Sequence, residues 1–180
     1  NQKTTKIPTE KYRNPSSTHG LKKKKKNILE LSRKSIAKNL NATAQEIIFT
    51  SCGTEANNWI LRSAVKDLQV KRIITSKIEH HAVLYTALVL EKEYDIQIDY
   101  VNVKPNGEID ITHLVELLSQ EKKTLVSLMH VNNEIGTVLD LERIGRICQE
   151  HNTLFHSDTV QSTCKTPTDF ETLSVDSIVA

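Results

Sequence analysis

Short apolar runs alternate along the chain with segments whose apolar residues recur at helical spacing. The apolar runs predict strands over residues 46–50, 72–76, 96–103, 124–129 and 154–156, with one more strand beginning inside residues 173–180. Helical spacing predicts helices over residues 28–40, 59–68, 109–118 and 141–150, and a further helix follows the segment 78–83 and ends near residue 94. Strand, polar tip and helix repeat about five times, which predicts an α/β domain with a mostly parallel sheet.

Polar side chains follow two of the predicted strands at the point where each strand ends. Asn132, Asn133 and Glu134 come after the strand over residues 124–129, and Asp158 and Gln161 come just past the strand over residues 154–156. Ligands of open α/β sheets bind beyond the carboxyl ends of the strands. We therefore expect the functional site at this edge of the sheet.

The segment Ser51-Cys52-Gly53-Thr54 joins a predicted strand to a predicted helix. Gly53 permits a tight turn, and Thr54 is expected to be the N-cap of a helix over residues 59–68. A helix that starts just after a strand offers free N–H groups to a phosphate. The alternative is a plain capped helix without a ligand.

Two adjacent histidines, His80 and His81, follow the strand over residues 72–76. Neighbouring helical side chains point in different directions, so the pair is poorly suited to bind one metal ion, and no metal site is expected. One ring could stack on a flat ligand or move a proton near neutral pH. The alternative is a packing or capping histidine.

Composition narrows the class of protein. The 180 residues are 38% hydrophobic and 26% charged, which allows one domain with a real core. A net charge of +2 requires neither a nucleic-acid nor a membrane partner, and no apolar run approaches the roughly 18 residues of a membrane span. Three scattered cysteines indicate neither a disulfide framework nor a zinc site, and this usage favours a cytoplasmic location.

The chain ends differ from its middle. Residues 1–20 are polar and turn-rich and are expected to be an irregular arm, with the domain over residues 21–180. Five consecutive lysines, residues 22–26, are interpreted as a solvated helix start, with an anion or nucleic-acid patch as the alternative. The chain stops inside an apolar strand, which suggests a part of something longer.

The motifs SCGTEANN, EHHAVL, VNNEIGT and FHSDTVQ, together with the arm NPSSTHG, resemble the cysteine desulfurase group of the class V aminotransferases. The resemblance covers nearly the whole chain, with the motifs in the family's order. It implies the three-layer fold of the aspartate-aminotransferase type, a homodimer, and pyridoxal 5'-phosphate as cofactor. It also implies removal of sulfur from L-cysteine, giving L-alanine and an enzyme persulfide that supplies a sulfur-acceptor or scaffold protein in iron–sulfur cluster or thio-cofactor assembly.

The same resemblance assigns roles to single residues. Gly53 and Thr54 would bind the cofactor phosphate, and His80 would stack on the ring and take part in proton transfer. Asp158 would pair with the ring nitrogen. The ring hydroxyl would be contacted by Gln161 and approached by Asn133. Asn1, Thr4 and Thr5 would match the family's N-terminal element near the active site.

Some positions depart from the family pattern. The family's covalent lysine comes after the strand that Asp176 begins, and its persulfide cysteine lies further downstream, so this chain alone is expected to be inactive. Lys165 does not match that lysine. Cys52 and Cys164 stand where glycine is usual and are interpreted as passive replacements.

Three other functions stay open from the sequence. All three keep the same fold. Two are enzymes, a selenocysteine lyase and another class V aminotransferase. The third is a non-catalytic binding module that uses the lysine run against an acidic partner or RNA.

Overall fold

The computed structural model describes residues 20–163 and 173–180, with side chains from residue 26 onward. The chain divides into two compact units, Asn1–Ile48 and Phe49–Ala180. Residues 1–19 of the predicted arm over residues 1–20, together with Cys164 and Lys165, lie outside the described residues. The predicted division at residue 20 stays a prediction.

The first unit contains helix α1, Gly20–Asn39. The lysine run lies inside this helix, as predicted, and the helix begins at Gly20. It ends because Asn41 adopts a left-handed backbone with φ of 52° and the N–H of Ala42 donates to the carbonyl of Ala37 at 2.9 Å. This pairing is the Schellman pattern, which satisfies carbonyls that a helix end leaves unpaired.

The second unit alternates helices and strands in the predicted manner. Its elements are α2 Gly53–Lys66, β1 Arg72–Ser76, α3 His81–Tyr94, β2 Gln97–Val101, α4 Ile111–Leu118, β3 Thr124–Ser127, α5 Leu141–Glu150, β4 Leu154–Asp158 and β5 Ser177–Val179. The strands form one parallel sheet in the order β2-β1-β3-β4-β5. The prediction of an α/β fold with a parallel sheet is confirmed.

Helices cover both faces of this sheet and make it three layers. On one face, Leu61 of α2 and Val83 of α3 pack with Ile73 and Leu125 of the sheet. On the other face, Leu114 of α4 and Ile144 of α5 pack against Ile74, Val126 and Phe155. Successive strand residues point to opposite faces, so each buried strand contributes to both cores.

The predicted strand over residues 46–50 is wrong. Thr43 donates its N–H and its hydroxyl to the Glu46 carboxylate at 2.7 and 2.8 Å, which closes a turn. Residues 47–50 follow without regular structure, and Ile48 and Phe49 are exposed. An apolar run becomes a strand only when a neighbouring strand completes its hydrogen bonds, and no described strand lies beside this run.

The start of α2 also differs from the prediction. The helix begins at Gly53, before the segment 59–68 whose pattern indicated it, and Cys52 rather than Thr54 occupies the N-cap position. The side chain of Cys52 makes no capping bond. Instead Glu55 reaches back and accepts from the N–H and the hydroxyl of Ser51, both at 2.6 Å. A carboxylate in the first turn of the helix thus replaces the expected threonine cap.

Candidate functional site at the carboxyl edge of the sheet

The predicted site residues follow three neighbouring strands. His80 lies after β1, Asn133 lies after β3, Asp158 is the last residue of β4, and Gln161 follows it. The chain leaves β1 for β2 on one side and returns to β3 on the other, so β1 and β3 form a topological switch point. Such a switch point opens a crevice at the carboxyl ends of the strands.

Asp158 is a buried carboxylate, 7% exposed, whose two oxygens each accept one hydrogen bond. The side-chain amide of Asn57 donates to Oδ2 at 2.8 Å, and the N–H of Val160 donates to Oδ1 at 3.1 Å. Sequence reasoning placed Asp158 just past the strand, and the structure makes it the strand's final residue. The two donors fix the plane of the carboxylate.

The amino terminus of α2 lies against the same segment. A Cβ atom added to Gly53 would come 3.0 Å from Cγ2 of Val160 and 3.5 Å from Cγ1 of Val179. The absence of a side chain at Gly53 therefore allows the helix to approach the end of β4. Because Asn57 of the same helix contacts Asp158, the structure brings the helix start and the buried carboxylate together.

The first N–H groups of α2 have no acceptor inside the helix because they lie in its first turn. The backbone of Cys52 is extended, with φ of −166° and ψ of 169°, which any residue adopts, so a cysteine fits here in place of glycine. The pKa of its exposed thiol is lowered, first by the N–H of Glu55 and then by the hydroxyl of Ser51. The thiol thus lies against donors that an anion would also use.

His80 is the N-cap of α3, and its Nδ1 atom accepts from the N–H of Ala82 at 3.2 Å. This bond leaves the proton of the neutral ring on Nε2. The His80 ring is exposed and lies edge-on to the His81 ring, with 6.2 Å between the ring centroids. The centroids of the His81 and Tyr85 rings are 5.1 Å apart. The capping role weighed from the sequence is present, and Nε2 is directed away from that bond.

Asn132 and Asn133 are adjacent but differ in environment. Asn132 is 5% exposed, donates to the carbonyl of Ile78 at 2.7 Å, and accepts from the N–H groups of Glu134 and Ile135. The bond to Ile78 connects the turn after β3 to the loop that carries His80, and the other two close that turn. The exposed Asn133 side chain makes no hydrogen bond to another residue in the described ranges.

Gln161 and Thr54 resemble Asn133 in this respect. Both are exposed, and neither side chain bonds to another residue of the described part of the chain. The structure therefore sets these two side chains and Asn133 at the predicted edge, but internal bonds do not bring them into contact with Asp158.

Glu79 was not singled out from the sequence. It is 6% exposed, and its Oε1 atom accepts from the hydroxyl of Ser76 at 2.8 Å and from the N–H of Met129 at 3.1 Å. Burial raises the pKa of this carboxyl to about 8, the two hydrogen bonds oppose the rise, and the charge of Asp158 adds to it. Burial therefore favours the neutral form of Glu79, and its two hydrogen bonds join the ends of β1 and β3.

His156 is a second buried titratable group that the sequence did not reveal. Its Nδ1 atom lies 2.9 Å from the hydroxyl of Ser127, and burial lowers its pKa to about 4. It precedes Asp158 by two residues on β4, so both side chains lie on the face covered by α2 and α3. No sequence pattern indicates this burial, because a histidine that follows phenylalanine in a strand can lie on a buried face or on a solvent-exposed face.

A cavity of about 210 Å³ opens elsewhere, between the loop after β1, the turn at Gly107 and the start of α5. Glu79, Asn132 and Arg143 are among its lining residues. None of the residues for which a cofactor role was predicted lines it: Gly53, Thr54, His80, Asn133, Asp158 and Gln161. In the described ranges no group of three or more histidine, cysteine, aspartate or glutamate side chains could hold a metal ion. No helix in the same ranges has the length and apolar content needed to cross a membrane.

Comparisons with known proteins agree on one family. The family model "Aminotransferase class-V" matches residues 2–180. The chain is 40% identical over 170 residues to a cysteine desulfurase IscS of Clostridium botulinum, covering 93% of this chain and 42% of that protein. It is also 40% identical over 168 residues to a putative cysteine desulfurase IscS 1 of Bacillus subtilis, covering 92% of this chain and 44% of the relative.

Solved structures give the same result. A NifS-like protein superposes with a TM-score of 0.86 at 40% identity, over 93% of this chain and 47% of that chain. SspA in complex with cysteine superposes with a TM-score of 0.87 at 34% identity, over 96% of this chain and 50% of that one. The chain spans less than half the length of the curated relatives it matches.

Proposed function

The chain belongs to the class V aminotransferase family, since the family model matches residues 2–180, and on that premise we propose that its protein is a pyridoxal-phosphate-dependent cysteine desulfurase. The substrate would be L-cysteine. In the net reaction the C–S bond of L-cysteine breaks, its sulfur atom joins an enzyme thiol as a persulfide, and L-alanine leaves. Cysteine desulfurases among the relatives support this choice over other members of the family.

One structural observation carries the fit to the cofactor. A buried carboxylate, Asp158, lies beside the amino terminus of α2 and is joined to that helix by the 2.8 Å bond from Asn57. An aromatic ring with a basic nitrogen at one end and a phosphate at the other requires a carboxylate and an anion site close together. When bound, pyridoxal phosphate acts as an electron sink for the substrate carbon.

The residues of the chain take separate roles in this proposal. The N–H groups of Gly53 and Thr54 bind the phosphate, and Asp158 keeps the proton on the ring nitrogen. The His80 imidazole would stack on the ring and would hold or move a proton at Nε2, since Nδ1 is occupied by the Ala82 N–H. Asn133 and Gln161 provide side-chain amides for the ring hydroxyl.

The whole protein is proposed to be a homodimer in the cytoplasm that passes sulfur to an acceptor or scaffold protein. The family resemblance supports these three features. The acceptor's role in iron–sulfur cluster or thio-cofactor assembly is proposed from the relatives' group alone.

The test is cofactor retention and product analysis in the purified whole protein, since this chain alone is expected to be inactive. After incubation with pyridoxal phosphate and exhaustive dialysis, we expect a retained chromophore in the parent and a strongly weakened one in Asp158→Asn. Asp67→Asn is the control, because Asp67 is an exposed carboxylate at the opposite end of α2. Unchanged retention in Asp158→Asn would refute the assignment of the ring-nitrogen partner.

Products separate the candidate activities. A desulfurase forms L-alanine and persulfide sulfur from L-cysteine in equal amounts, whereas an aminotransferase converts its amino acid to a keto acid. A selenocysteine lyase would act on L-selenocysteine and leave L-cysteine untouched. Salt-sensitive RNA binding that is indifferent to Asp158→Asn would favour the non-catalytic binding module.

A further inference from the structure

Asn57 is a buried polar residue to which no role has been assigned so far. It lies on the inner face of α2, one turn before the core residue Leu61, and is 1% exposed. Its Nδ2 atom donates to Oδ2 of Asp158 at 2.8 Å. Its Oδ1 atom is fully buried and has no partner among the described residues.

This arrangement fixes the orientation of the amide. A carboxylate only accepts hydrogen bonds, so the NH₂ group of Asn57 must face Asp158 and the carbonyl oxygen must point away. The unpaired carbonyl oxygen costs stability, because a buried acceptor without a donor loses its hydration. A leucine of similar size would avoid that cost but would leave Oδ2 of the buried Asp158 without its donor, so the amide at this position serves the carboxylate.

The bond also couples two parts of the candidate site. Asn57 lies four residues after Gly53, about one helical turn, on the same rigid helix. It therefore fixes the position of the Asp158 carboxylate relative to the helix start. The N–H of Val160, in the segment that follows β4, donates to the other carboxylate oxygen. The carboxylate is therefore oriented by donors from α2 and from the segment after β4.

An uncharged donor suits a carboxylate that must keep its negative charge for a ligand. The amide has no titratable proton, so it orients Asp158 without neutralising it. A lysine or arginine in this place would compete with a protonated ring nitrogen for the same charge.

We propose that Asn57 is a positioning residue that orients Asp158 toward the ring nitrogen of the cofactor and so determines how firmly that nitrogen holds its proton. This proposal rests on the proposed function. It adds a residue whose contribution passes entirely through Asp158. Asn57 itself does not touch the cofactor.

The test uses Asn57→Leu in the purified protein, with two measurements. The first is the dissociation constant of pyridoxal phosphate. The second is the nitrogen-15 resonance of cofactor labelled at the ring nitrogen, which reports the protonation of that atom. We expect roughly tenfold weaker binding, as for loss of a hydrogen bond to a charged group, and a resonance displaced toward that of the neutral ring.

The control is Thr75→Val. Thr75 is buried on β1, its hydroxyl has no partner in the described ranges, and no hydrogen bond joins it to Asp158. This change also replaces a buried polar group by an apolar one, and it should leave both measurements unchanged. Asn57→Ala removes the same donor without adding bulk and should agree with Asn57→Leu, which guards against a variant that fails to fold.

The outcomes are distinguishable. If Asn57 only packs the core, its variants alter the free energy of unfolding while cofactor affinity and the nitrogen resonance stay at parental values, and the proposal is overturned. If Asp158→Asn weakens binding but neither Asn57 variant does, this inference fails and the proposed function stands. If the parent protein does not bind pyridoxal phosphate, both fail together.

Discussion

Replacing Glu79 by glutamine should remove a pH dependence of stability that the fold creates. The carboxyl is buried between β1 and β3, and its pKa rises from 4.5 to about 8. The folded protein therefore keeps this proton up to about pH 8, whereas the unfolded chain releases it near pH 4.5. Between these values the unfolded state binds fewer protons, so the free energy of unfolding falls as the pH rises.

The magnitude follows from the size of the pKa change. Each pH unit corresponds to about 1.4 kcal/mol, so the contribution of Glu79 is complete below pH 4.5 and decreases by at most about 5 kcal/mol by pH 8. His156 acts in the opposite direction, since its pKa is lowered from 6.5 to about 4 and its contribution is lost as the pH falls through that interval. Below pH 6.5 the contributions of Glu79 and His156 to the free energy of unfolding change with pH in opposite directions. Above pH 6.5, of these two residues, only the Glu79 contribution still changes.

Glutamine keeps the acceptor for Ser76 and for the N–H of Met129 but has no proton to release. The difference in unfolding free energy between Glu79→Gln and the parent should therefore increase by about 1.4 kcal/mol per pH unit from pH 4.5 to about 8 and then level off. Urea denaturation followed by circular dichroism across this interval, at constant ionic strength, measures it. Subtracting the parent's free energy of unfolding from that of the variant cancels the contributions of groups that titrate equally in both proteins.

Glu116→Gln is the matched control because Glu116 is an exposed glutamate on α4. Its difference from the parent should be nearly independent of pH. An equally flat difference for Glu79→Gln would show that Glu79 is ionised in the folded protein, and the reasoning from its burial would be refuted.

Three other changes test the packing. Gly145→Ala would place a Cβ atom 2.0 Å from a backbone carbonyl oxygen, and we expect about 3 kcal/mol of destabilisation in urea denaturation. Asp99→Asn leaves the fully buried Arg72 guanidinium without its carboxylate and should cost about 3 kcal/mol, which a cost near zero would contradict. Iodoacetamide should modify the exposed Cys52 in the native protein but not Cys148, because burial raises the pKa of the Cys148 thiol to about 12. In urea both thiols should react, and peptide mass spectrometry measures the modification at each.

Much of the fold could be predicted because the pattern that specifies it is local. The spacing of apolar residues over 141–150 predicted α5 with its observed bounds, and the run over 72–76 predicted β1. The run over residues 46–50 looked equally suitable for a strand and is none. A strand depends on hydrogen bonds from a neighbour distant in sequence, and local composition does not report whether that neighbour is there.

Part of the candidate site followed from the same reasoning. His80 and Asp158 were expected at the sheet edge because parallel strands end together, and the structure puts both there. Their roles toward a cofactor came from family resemblance and stay proposals. Asn57, Glu79 and His156 gave no signal, because their importance lies in burial and in partners that are far away in the chain.

The sequence by itself determined the order of strands and helices, the parallel sheet and the family, since each depends on local periodicity or on short motifs. Only the tertiary structure decided that Asn57 meets Asp158 across 101 positions and that Glu79 is buried between two strand ends. Hydration and charge at these residues depend on which surfaces pack together. Packing brings distant segments into contact, and the free energy of a buried polar group is set by those contacts rather than by its neighbours in the chain.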